Sequence, residues 1–197
     1  MITEDLLFSL GGEIRRYEAN ETIFREGEFP LYYFQIMQGK VKLNNYNEDG
    51  KEFIQNLFSD GQSFGESLLF IDRPYPMNAV AIEDSSIIKL PKSHFLKLIQ
   101  ENPEVCSNIY QCLAERMYYK YIMLYNLSFQ NPEAKLKLFM DYLKSYHEDK
   151  SPYSFQVPLT RQQMASLTGL RVETVIRVIK NMEKNKALKI QNRKIYY

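Results

Sequence analysis

Long polar side chains recur on one face of a helical pattern near the end of this 197-residue chain. Glu173 and Arg177 are four residues apart, so in a helix they lie on the same face. An arginine can donate two hydrogen bonds to guanine O6 and N7, and a carboxylate can accept one from cytosine N4. These residue types at this spacing are therefore suited to reading base edges in DNA.

The segment 158–188 predicts a helix-turn-helix that would position this pair. Thr160 is followed three residues later by Gln163, which is the spacing of a capping box, and Gly169 can adopt the positive φ of a tight turn. The second helix is predicted from about Val172 to Lys184, and in a helix-turn-helix this second helix lies in the major groove. Its predicted buried stripe consists of Val175, Ile176, Val178, Ile179 and Met182. The same pattern occurs in helical hairpins that do not bind DNA, so the rest of the chain has to distinguish the two cases.

A small hairpin after this unit completes a predicted winged helix. Strands at 188–190 and 195–197 flank a turn at 191–193, and Arg193 and Lys194 are suitably placed for phosphate contacts. The predicted DNA-contacting residues are Arg161, Gln162, Arg171, Val172, Glu173, Thr174, Arg177, Lys180, Arg193 and Lys194.

The charge distribution favours the DNA-binding interpretation. Residues 1–130 hold 12 Lys and Arg against 18 Asp and Glu, whereas residues 131–197 hold 13 against 6, although the whole chain carries only +1. A basic third behind an acidic body is typical of a polyanion-binding domain attached to another module. The acidic N-terminus with its short apolar run predicts neither a signal peptide nor a membrane partner. With two cysteines that suit a reducing compartment, we expect a cytoplasmic protein.

The preceding part of the chain predicts an α+β protein with an N-terminal antiparallel jelly roll or barrel. After a short helix within 1–12, short apolar runs alternate with turn residues up to Pro91, and Asp49-Gly50 is a strong hairpin signal. Strands are predicted at 22–24, 32–37, 41–46, 53–58, 78–82, 87–90 and, in a later connection, 154–157. Helices are predicted at 94–101, 104–128 and 133–146.

The long helix at 104–128 carries two apolar stripes. Tyr110, Ala114, Met117, Tyr121, Leu124 and Ser128 recur at alternating spacings of 4 and 3, and the neighbouring stripe is Ile109, Leu113, Arg116, Lys120, Met123 and Leu127. One stripe can pack on the barrel and the other on a second copy, which predicts a parallel homodimer, the alternative being a helix buried within one subunit. The predicted interface is Tyr110, Leu113, Ala114, Met117, Tyr121 and Leu124.

Asn131-Pro132 is the predicted hinge, which gives a barrel at 1–102, a dimerisation helix at 103–130 and a winged helix at 131–197.

A barrel, a long helix and a winged helix in this order resemble the Crp/Fnr family of bacterial transcription regulators. Two segments carry the resemblance: FGESLLF at 64–70 is similar to the family's phosphate-binding cassette, and GLRVETVIR at 169–177 to its recognition helix. The resemblance implies a homodimeric regulator, not an enzyme, that binds a pseudo-palindromic double-stranded operator and acts with RNA polymerase. It also implies allosteric control by an effector between the barrel and the long helix.

The cassette departs from that of the cyclic-nucleotide-binding members. The resemblance implies that Gly65 lets a phosphate approach the backbone and that Glu66 bonds the ribose. It also implies that an Arg-Ser pair about ten residues further on holds the phosphate. Residues 73–78 read RPYPMN instead, without such a pair. Lys120-Tyr121 stands where cyclic AMP regulators have Thr-Ser. A buried phosphate without a counter-charge is costly, so cyclic AMP is not expected. We expect Glu66 to bond backbone instead, and an aromatic pocket with Tyr75 would suit an apolar ligand. The candidate effector residues are Phe64, Gly65, Glu66, Ser67, Arg73, Tyr75, Lys120 and Tyr121.

Other sensors and other functions find less support in the sequence. No iron–sulfur cluster is expected because residues 1–100 contain no cysteine, and no metal-ligand set is evident. His94 and His147 are interpreted as helix-end residues, which leaves open a haem held by another side chain, an unidentified small molecule, or no effector. A cupin-type enzyme would need clustered histidines, and the barrel region has none. A module acting through protein partners is the remaining alternative.

The recognition helix is closer to the Fnr type than to the cyclic AMP type. In the family the positions of Glu173 and Arg177 touch bases, which implies an operator with a shared G·C core. Val172 replaces an arginine of the cyclic AMP regulators and is suited to a thymine methyl group, and Ile176 replaces a serine of the Fnr type. Arg171 is expected to meet phosphate. The operator should therefore differ from those of relatives at its flanks.

Overall fold

The computed structural model describes residues 2–197 and contains two compact units, one ending at Arg116 and the other beginning at Met117. Helix α3, Pro103–Ser128, belongs to both units because the boundary falls within it. Among residues 2–197, no helix has the length and hydrophobicity needed to cross a lipid bilayer.

The first unit contains the predicted antiparallel barrel. Two four-stranded sheets have the strand orders β1-β8-β3-β6 and β2-β7-β4-β5, and neighbouring strands are antiparallel throughout. The strands are β1 (Glu13–Tyr17), β2 (Thr22–Phe24), β3 (Tyr32–Gln38), β4 (Val41–Tyr46), β5 (Glu52–Phe58), β6 (Ser63–Phe64), β7 (Asn78–Ala81) and β8 (Ser85–Pro91). The six predicted strands are confirmed. Two strands were not predicted from the sequence: β1, in which only Tyr17 is buried, and β6, which has only two residues.

The space between the sheets is filled largely by aromatic rings. Phe24, Phe34, Phe58, Phe64 and Tyr75 all belong to one buried cluster, which we call the barrel cluster. Alternating side chains from the two sheets meet there, as expected when two sheets pack face to face. The β4–β5 turn contains Gly50 with φ 73°, which confirms the hairpin predicted from Asp49-Gly50.

A second buried cluster lies on the outside of the sheet that contains β3 and β8. Helices α1 (Glu4–Ser9) and α2 (Lys92–Glu101) pack there together with the start of α3. Ile109 of α3 is buried in this cluster, and Leu113 packs against it. The start of this α3 stripe therefore packs on the barrel, as predicted. Leu113, however, was predicted to lie in the dimer interface, and the structure places it against the barrel of its own chain.

In the second unit, α3 is followed by three helices and a two-stranded hairpin, which together form the winged helix. These are α4 (Pro132–Ser145), α5 (Arg161–Thr168), α6 (Val172–Lys184) and the hairpin β9 (Lys189–Gln191) with β10 (Lys194–Tyr196). At the predicted hinge, the Asn131 side chain accepts a hydrogen bond from Glu133 N at 2.9 Å, and Pro132 is the first residue of α4. The buried Asn126 donates to Lys135 O at 2.7 Å, which ties the end of α3 to α4. The predicted strand at 154–157 is reduced to one bridge, between Gln156 and Tyr196.

Candidate nucleic-acid interface and barrel cassette

The start of the helix-turn-helix is fixed by a reciprocal cap. Thr160 Oγ1 accepts a hydrogen bond from Gln163 N at 3.1 Å, and Gln163 Oε1 accepts one from Thr160 N at 2.9 Å. The capping box predicted from the sequence is thereby confirmed. At the other end of α5, Gly169 has φ 70°, and this left-handed conformation starts the turn into α6.

Helix α6 has one buried and one exposed face. Val175, Val178, Ile179 and Met182 are buried, as predicted. Ile176, which was predicted to be buried with them, is 41% exposed, so that prediction is wrong. The reason is helical geometry: residue 176 follows Glu173 by three positions and precedes Lys180 by four, which puts it on the polar face.

The exposed face of α6 brings together the residues that the sequence singled out for base reading. Glu173, Ile176, Arg177, Lys180 and Asn181 line a shallow depression on it. Within residues 2–197, neither the Glu173 carboxylate nor the Arg177 guanidinium takes part in an ion pair. Both charged groups are exposed to solvent and available for an external partner.

The wing presents two further cationic side chains at its tip. Strands β9 and β10 are joined by Asn192 and Arg193, whose φ values of 49° and 65° are those of a two-residue hairpin turn with both central residues left-handed. Arg193 and Lys194 are exposed there. The Arg161 guanidinium donates a hydrogen bond to the Arg193 carbonyl oxygen, so Arg161 also holds the wing turn against α5.

One residue that supports the wing was not found by sequence reasoning. Glu183 Oε1, near the end of α6, accepts a hydrogen bond from Ile190 N in β9 at 3.0 Å. This bond ties the wing to the recognition helix and fixes the position of its tip relative to α6. Nothing in the local sequence marks the role, because it depends on which backbone N–H the fold brings near the carboxylate.

The remaining predicted DNA contacts lie on α5 and α6 and at the turn between them. Gln162, Arg171 and Lys180 are exposed, whereas Val172 and Thr174 are half-buried. Arg171 is the N-cap residue of α6, and its backbone is extended without a side-chain cap. Its side chain is therefore not needed to complete the helix.

The cassette of the barrel is closed by aromatic rings. Gly65 has φ 74° and begins a short 3-10 helix, Glu66–Phe70. A Cβ placed on Gly65 would lie 3.1 Å from Cε1 of Phe24 and 3.3 Å from Cε1 of Tyr75. The Phe24 and Tyr75 rings stack with centroids 3.7 Å apart. The space beside the Cα of Gly65 is therefore filled, and the expected open aromatic pocket at Tyr75 is not present, because Tyr75 is buried and Phe24 stacks on its ring.

Glu66 is held by an ion pair that the sequence analysis missed. Its fully buried carboxylate pairs with the guanidinium of Arg116 on α3. Arg116 also donates hydrogen bonds to Ser63 O at 2.5 Å and to Ser63 Oγ at 3.2 Å. The expectation that Glu66 bonds backbone is wrong. The available signal was a charged residue in the α3 stripe that begins with Ile109 and Leu113, since a charge on a buried stripe needs a partner.

Arg116 stays charged in this environment. Burial lowers the pKa of its guanidinium to about 10, which is still well above neutral pH. Arg116 therefore places a buried positive charge beside the Glu66 carboxylate, neither oxygen of which accepts a hydrogen bond from residues 2–197.

The other residues predicted to bind an effector differ in their exposure. Phe64 is buried in the barrel cluster, and Ser67 and Arg73 are exposed. Lys120 and Tyr121 belong to the second unit, in which both are exposed. In the described chain, residues 2–197, no group of three or more His, Cys, Asp or Glu side chains is arranged to hold a metal ion.

Comparison with known proteins agrees with this architecture. A model of the cyclic nucleotide-binding domain matches residues 14–102, and a model of the Crp-like helix-turn-helix domain matches residues 136–196. A cyclic AMP receptor protein from Thermus thermophilus is 31% identical over 165 residues, which cover 84% of this chain and 74% of that protein. The chain belongs to the Crp/Fnr family of transcription regulators. The cAMP-activated global transcriptional regulator CRP of Haemophilus influenzae is 27% identical over 172 residues, which cover 86% of this chain and 77% of that protein.

Among solved structures, a mutant of CooA from Carboxydothermus hydrogenoformans matches with a TM-score of 0.84 and 17% sequence identity. The match covers all of this chain and 87% of the CooA chain. At this identity the match shows the Crp/Fnr fold alone. The family members found by sequence are transcription regulators rather than enzymes.

A cyclic nucleotide does not fit the cassette of this Crp/Fnr chain. Glu66 is engaged by Arg116, and two aromatic rings cover Gly65. The one arginine in the loop after the cassette, Arg73, is exposed, and the buried guanidinium of Arg116 is already paired with Glu66. The residues present thus disagree with the ligand that the name of the matching domain suggests.

Proposed function

We propose that this chain is a sequence-specific transcription regulator that binds a pseudo-palindromic operator as a homodimer, with one recognition helix α6 in the major groove of each half-site. The observation that carries the proposal is the exposed face of α6, on which Glu173 and Arg177 lie one turn apart, neither of them in an ion pair with any residue from 2 to 197. A polar face at the start of the second helix of a helix-turn-helix is the part that meets base edges.

Each side of the interface has a defined chemical role. Arg177 donates to guanine O6 and N7, and Glu173 accepts from cytosine N4. Arg193 and Lys194 at the wing tip and Arg171 at the start of α6 contact phosphates, which position the helix without reading sequence. Arg161 contributes by holding the wing turn in addition to any contact with DNA.

The dimer is proposed to form through the exposed stripe of α3. Large apolar or aromatic side chains recur there, with Tyr110 65% exposed and Leu124 69% exposed. Met117 and Tyr121 continue the stripe and are also exposed, whereas Leu113 is left out because it packs on its own barrel. A row of this kind is covered when the same helix of a second copy packs against it, and two-fold symmetry matches a palindromic operator.

Light scattering after size-exclusion chromatography tests the dimer. The Leu124→Glu variant should elute as a monomer, because a carboxylate on each helix would be buried against its twin. The Leu31→Glu variant is the matched control, since Leu31 is a similarly exposed leucine in the barrel unit. A dimeric Leu124→Glu variant, or a monomeric wild type, would rule out this interface.

The effector is proposed not to be cyclic AMP. The closed cassette supports this, and it favours either a small molecule bound elsewhere between barrel and long helix or a regulator without any effector. The internal Glu66–Arg116 pair favours the second version, because it gives the buried Glu66 carboxylate a counter-charge without a ligand. In either version regulation is a shift between two packings of the long helices, which the hinge at Asn131-Pro132 passes to the recognition helices.

Calorimetric titration with cyclic AMP should give no heat of binding at millimolar nucleotide. Saturable binding at micromolar concentration would contradict the proposal. Native mass spectrometry with an absorption spectrum of the purified protein then separates the two versions. A retained compound or haem supports a regulator with an effector. A dimer without any bound compound supports a regulator that has no effector.

Selection from randomised duplex DNA with the full-length protein tests the function itself. The expected result is an enriched inverted repeat with G·C pairs in each half and an affinity that falls steeply with salt, because phosphate contacts release counterions. RNA polymerase is the proposed protein partner on such promoters. Selection without any enriched sequence, with or without cellular extract as a source of effector, would favour a module that acts through proteins instead.

A further inference from the structure

Ile176 is an exposed aliphatic side chain in the middle of an otherwise polar surface. In the stretch 129–197, all of which the structure describes, it is the single Ile, Leu or Met that is exposed. Its neighbours around the depression on α6 are Glu173, Arg177, Lys180 and Asn181. An isoleucine here adds nothing to the core of the winged helix, which contains Val175 and Ile179 instead.

The position of Ile176 ties it to the base-reading pair. It lies one turn beyond Glu173 and directly precedes Arg177, on the same exposed face. Any placement of α6 that brings the Glu173 carboxylate and the Arg177 guanidinium to base edges also brings the Ile176 side chain to the groove floor. Its partner in the groove must therefore suit an apolar group.

The major groove offers one apolar group on its base edges, the C5-methyl group of thymine. The polar groups there are hydrogen-bond donors or acceptors, and an aliphatic side chain pressed against one of them would leave it desolvated without a partner. Because isoleucine is branched at Cβ, its side chain is restricted at χ1 before it binds and loses little rotamer freedom on contact.

We propose that Ile176 reads a thymine methyl group in each half-site, next to the G·C pairs contacted by Glu173 and Arg177, and that it is a specificity-determining residue of this regulator. The inference rests on the proposed function of α6. It predicts an operator in which one thymine per half-site is required for its methyl group rather than for its hydrogen bonds.

The experiment replaces thymine by deoxyuridine, which lacks only the C5-methyl group. Using the operator selected with the wild-type chain, each symmetric pair of thymines is replaced in turn, and binding is measured by fluorescence anisotropy. One pair should weaken wild-type binding about threefold to tenfold, the range expected when a buried methyl contact is lost on each half-site. The Ile176→Ala variant should lose a similar factor on the thymine operator and show no further loss on the uracil operator.

Two further variants separate recognition from stability. Ile176→Val keeps the branched Cβ and should retain part of the sensitivity to uracil. Ile14→Ala is the matched control, since Ile14 is an exposed isoleucine in β1, 50% exposed, and it should leave the full uracil effect unchanged. Binding to random DNA should be equal for all four proteins, because phosphate contacts are unaffected.

The outcomes distinguish this inference from the function on which it rests. If selection yields no consensus, the proposed function fails and the inference with it. If a consensus is obtained but no thymine is sensitive to loss of its methyl group, only the inference fails. Equal sensitivity of wild type and Ile176→Ala would overturn it as well, because another side chain would then be reading the methyl group.

Discussion

Two pairs of glutamate and arginine in this chain have opposite environments. In the barrel cassette, the buried Glu66 is paired with Arg116, and in the recognition helix, Glu173 and Arg177 lie exposed and form no ion pair in the described part of the chain, residues 2–197. In the interior each charge needs a partner from the same chain, since water cannot solvate it. At the surface, water solvates each charge separately and leaves it available. The same residue types therefore stabilise the fold in one place and await a ligand in the other.

The strongest test of this comparison is removal of the arginine from each pair. Arg116→Ala should lower the free energy of unfolding by about 3–5 kcal/mol, because it leaves the Glu66 carboxylate buried without a counter-charge. Arg177→Ala should change it by no more than about 0.5 kcal/mol, as is usual for exposed side chains. Urea unfolding of both variants gives the two values. The double variant Glu66→Gln/Arg116→Met should recover part of the loss, and equal effects of the two arginines would contradict the contrast.

Two glycines with the same backbone conformation test how tightly the cassette is filled. Gly65→Ala should destabilise the protein by about 2–4 kcal/mol, since the new methyl group adds a clash with Phe24 and Tyr75 to the cost of a left-handed alanine. Gly50 has φ 73°, and nothing lies within 4 Å of a Cβ added there. For Gly50→Ala we therefore expect only the cost of a left-handed alanine backbone, about 1–2 kcal/mol of stability. Thermal unfolding measures both. Similar losses would mean that Phe24 and Tyr75 yield to the new group and that the cassette is not closed.

For the recognition helix the comparison predicts an effect on DNA binding rather than on stability. Arg177→Ala should remove about 1–3 kcal/mol of discrimination between the operator and unrelated DNA. Lys194→Ala at the wing should weaken binding to both DNAs alike and reduce the slope of affinity against salt. Anisotropy titrations at several salt concentrations separate these effects. Equal losses on specific and random DNA for both variants would contradict the assigned roles.

The smallest expected effect is an increase in the free energy of unfolding, caused by a substitution in the barrel. The buried Tyr75 hydroxyl has no hydrogen-bond partner within residues 2–197, and burial raises the pKa of the phenol. Tyr75→Phe should therefore increase the free energy of unfolding by about 1 kcal/mol, because an unsatisfied buried donor is removed while the stack on Phe24 is kept. Phe34→Leu, in the same cluster, is the control that should destabilise. A loss of stability in Tyr75→Phe would indicate a hydrogen-bond partner for the hydroxyl and contradict the prediction.

Local patterns in the sequence were sufficient for most of the architecture. The Thr160–Gln163 cap, the left-handed Gly169 and the hairpin at Gly50 depend on residues close together in the chain, and all three are confirmed. Strand β1 was missed because its side chains are largely exposed and leave no alternating pattern. The error at Ile176 has a similar origin, since an apolar residue on a polar face imitates the edge of a buried stripe.

What the sequence determined by itself is the order of the modules, the bounds of the two helices of the helix-turn-helix and the identity of Glu173 and Arg177 as candidate base readers. These follow from periodicity and short-range hydrogen bonding. Only the tertiary structure decided that the Glu66 carboxylate is paired with Arg116, fifty residues away, and that Phe24 and Tyr75 cover Gly65. Such contacts depend on which distant side chains the packed sheets and helices bring together, and no local pattern encodes that choice.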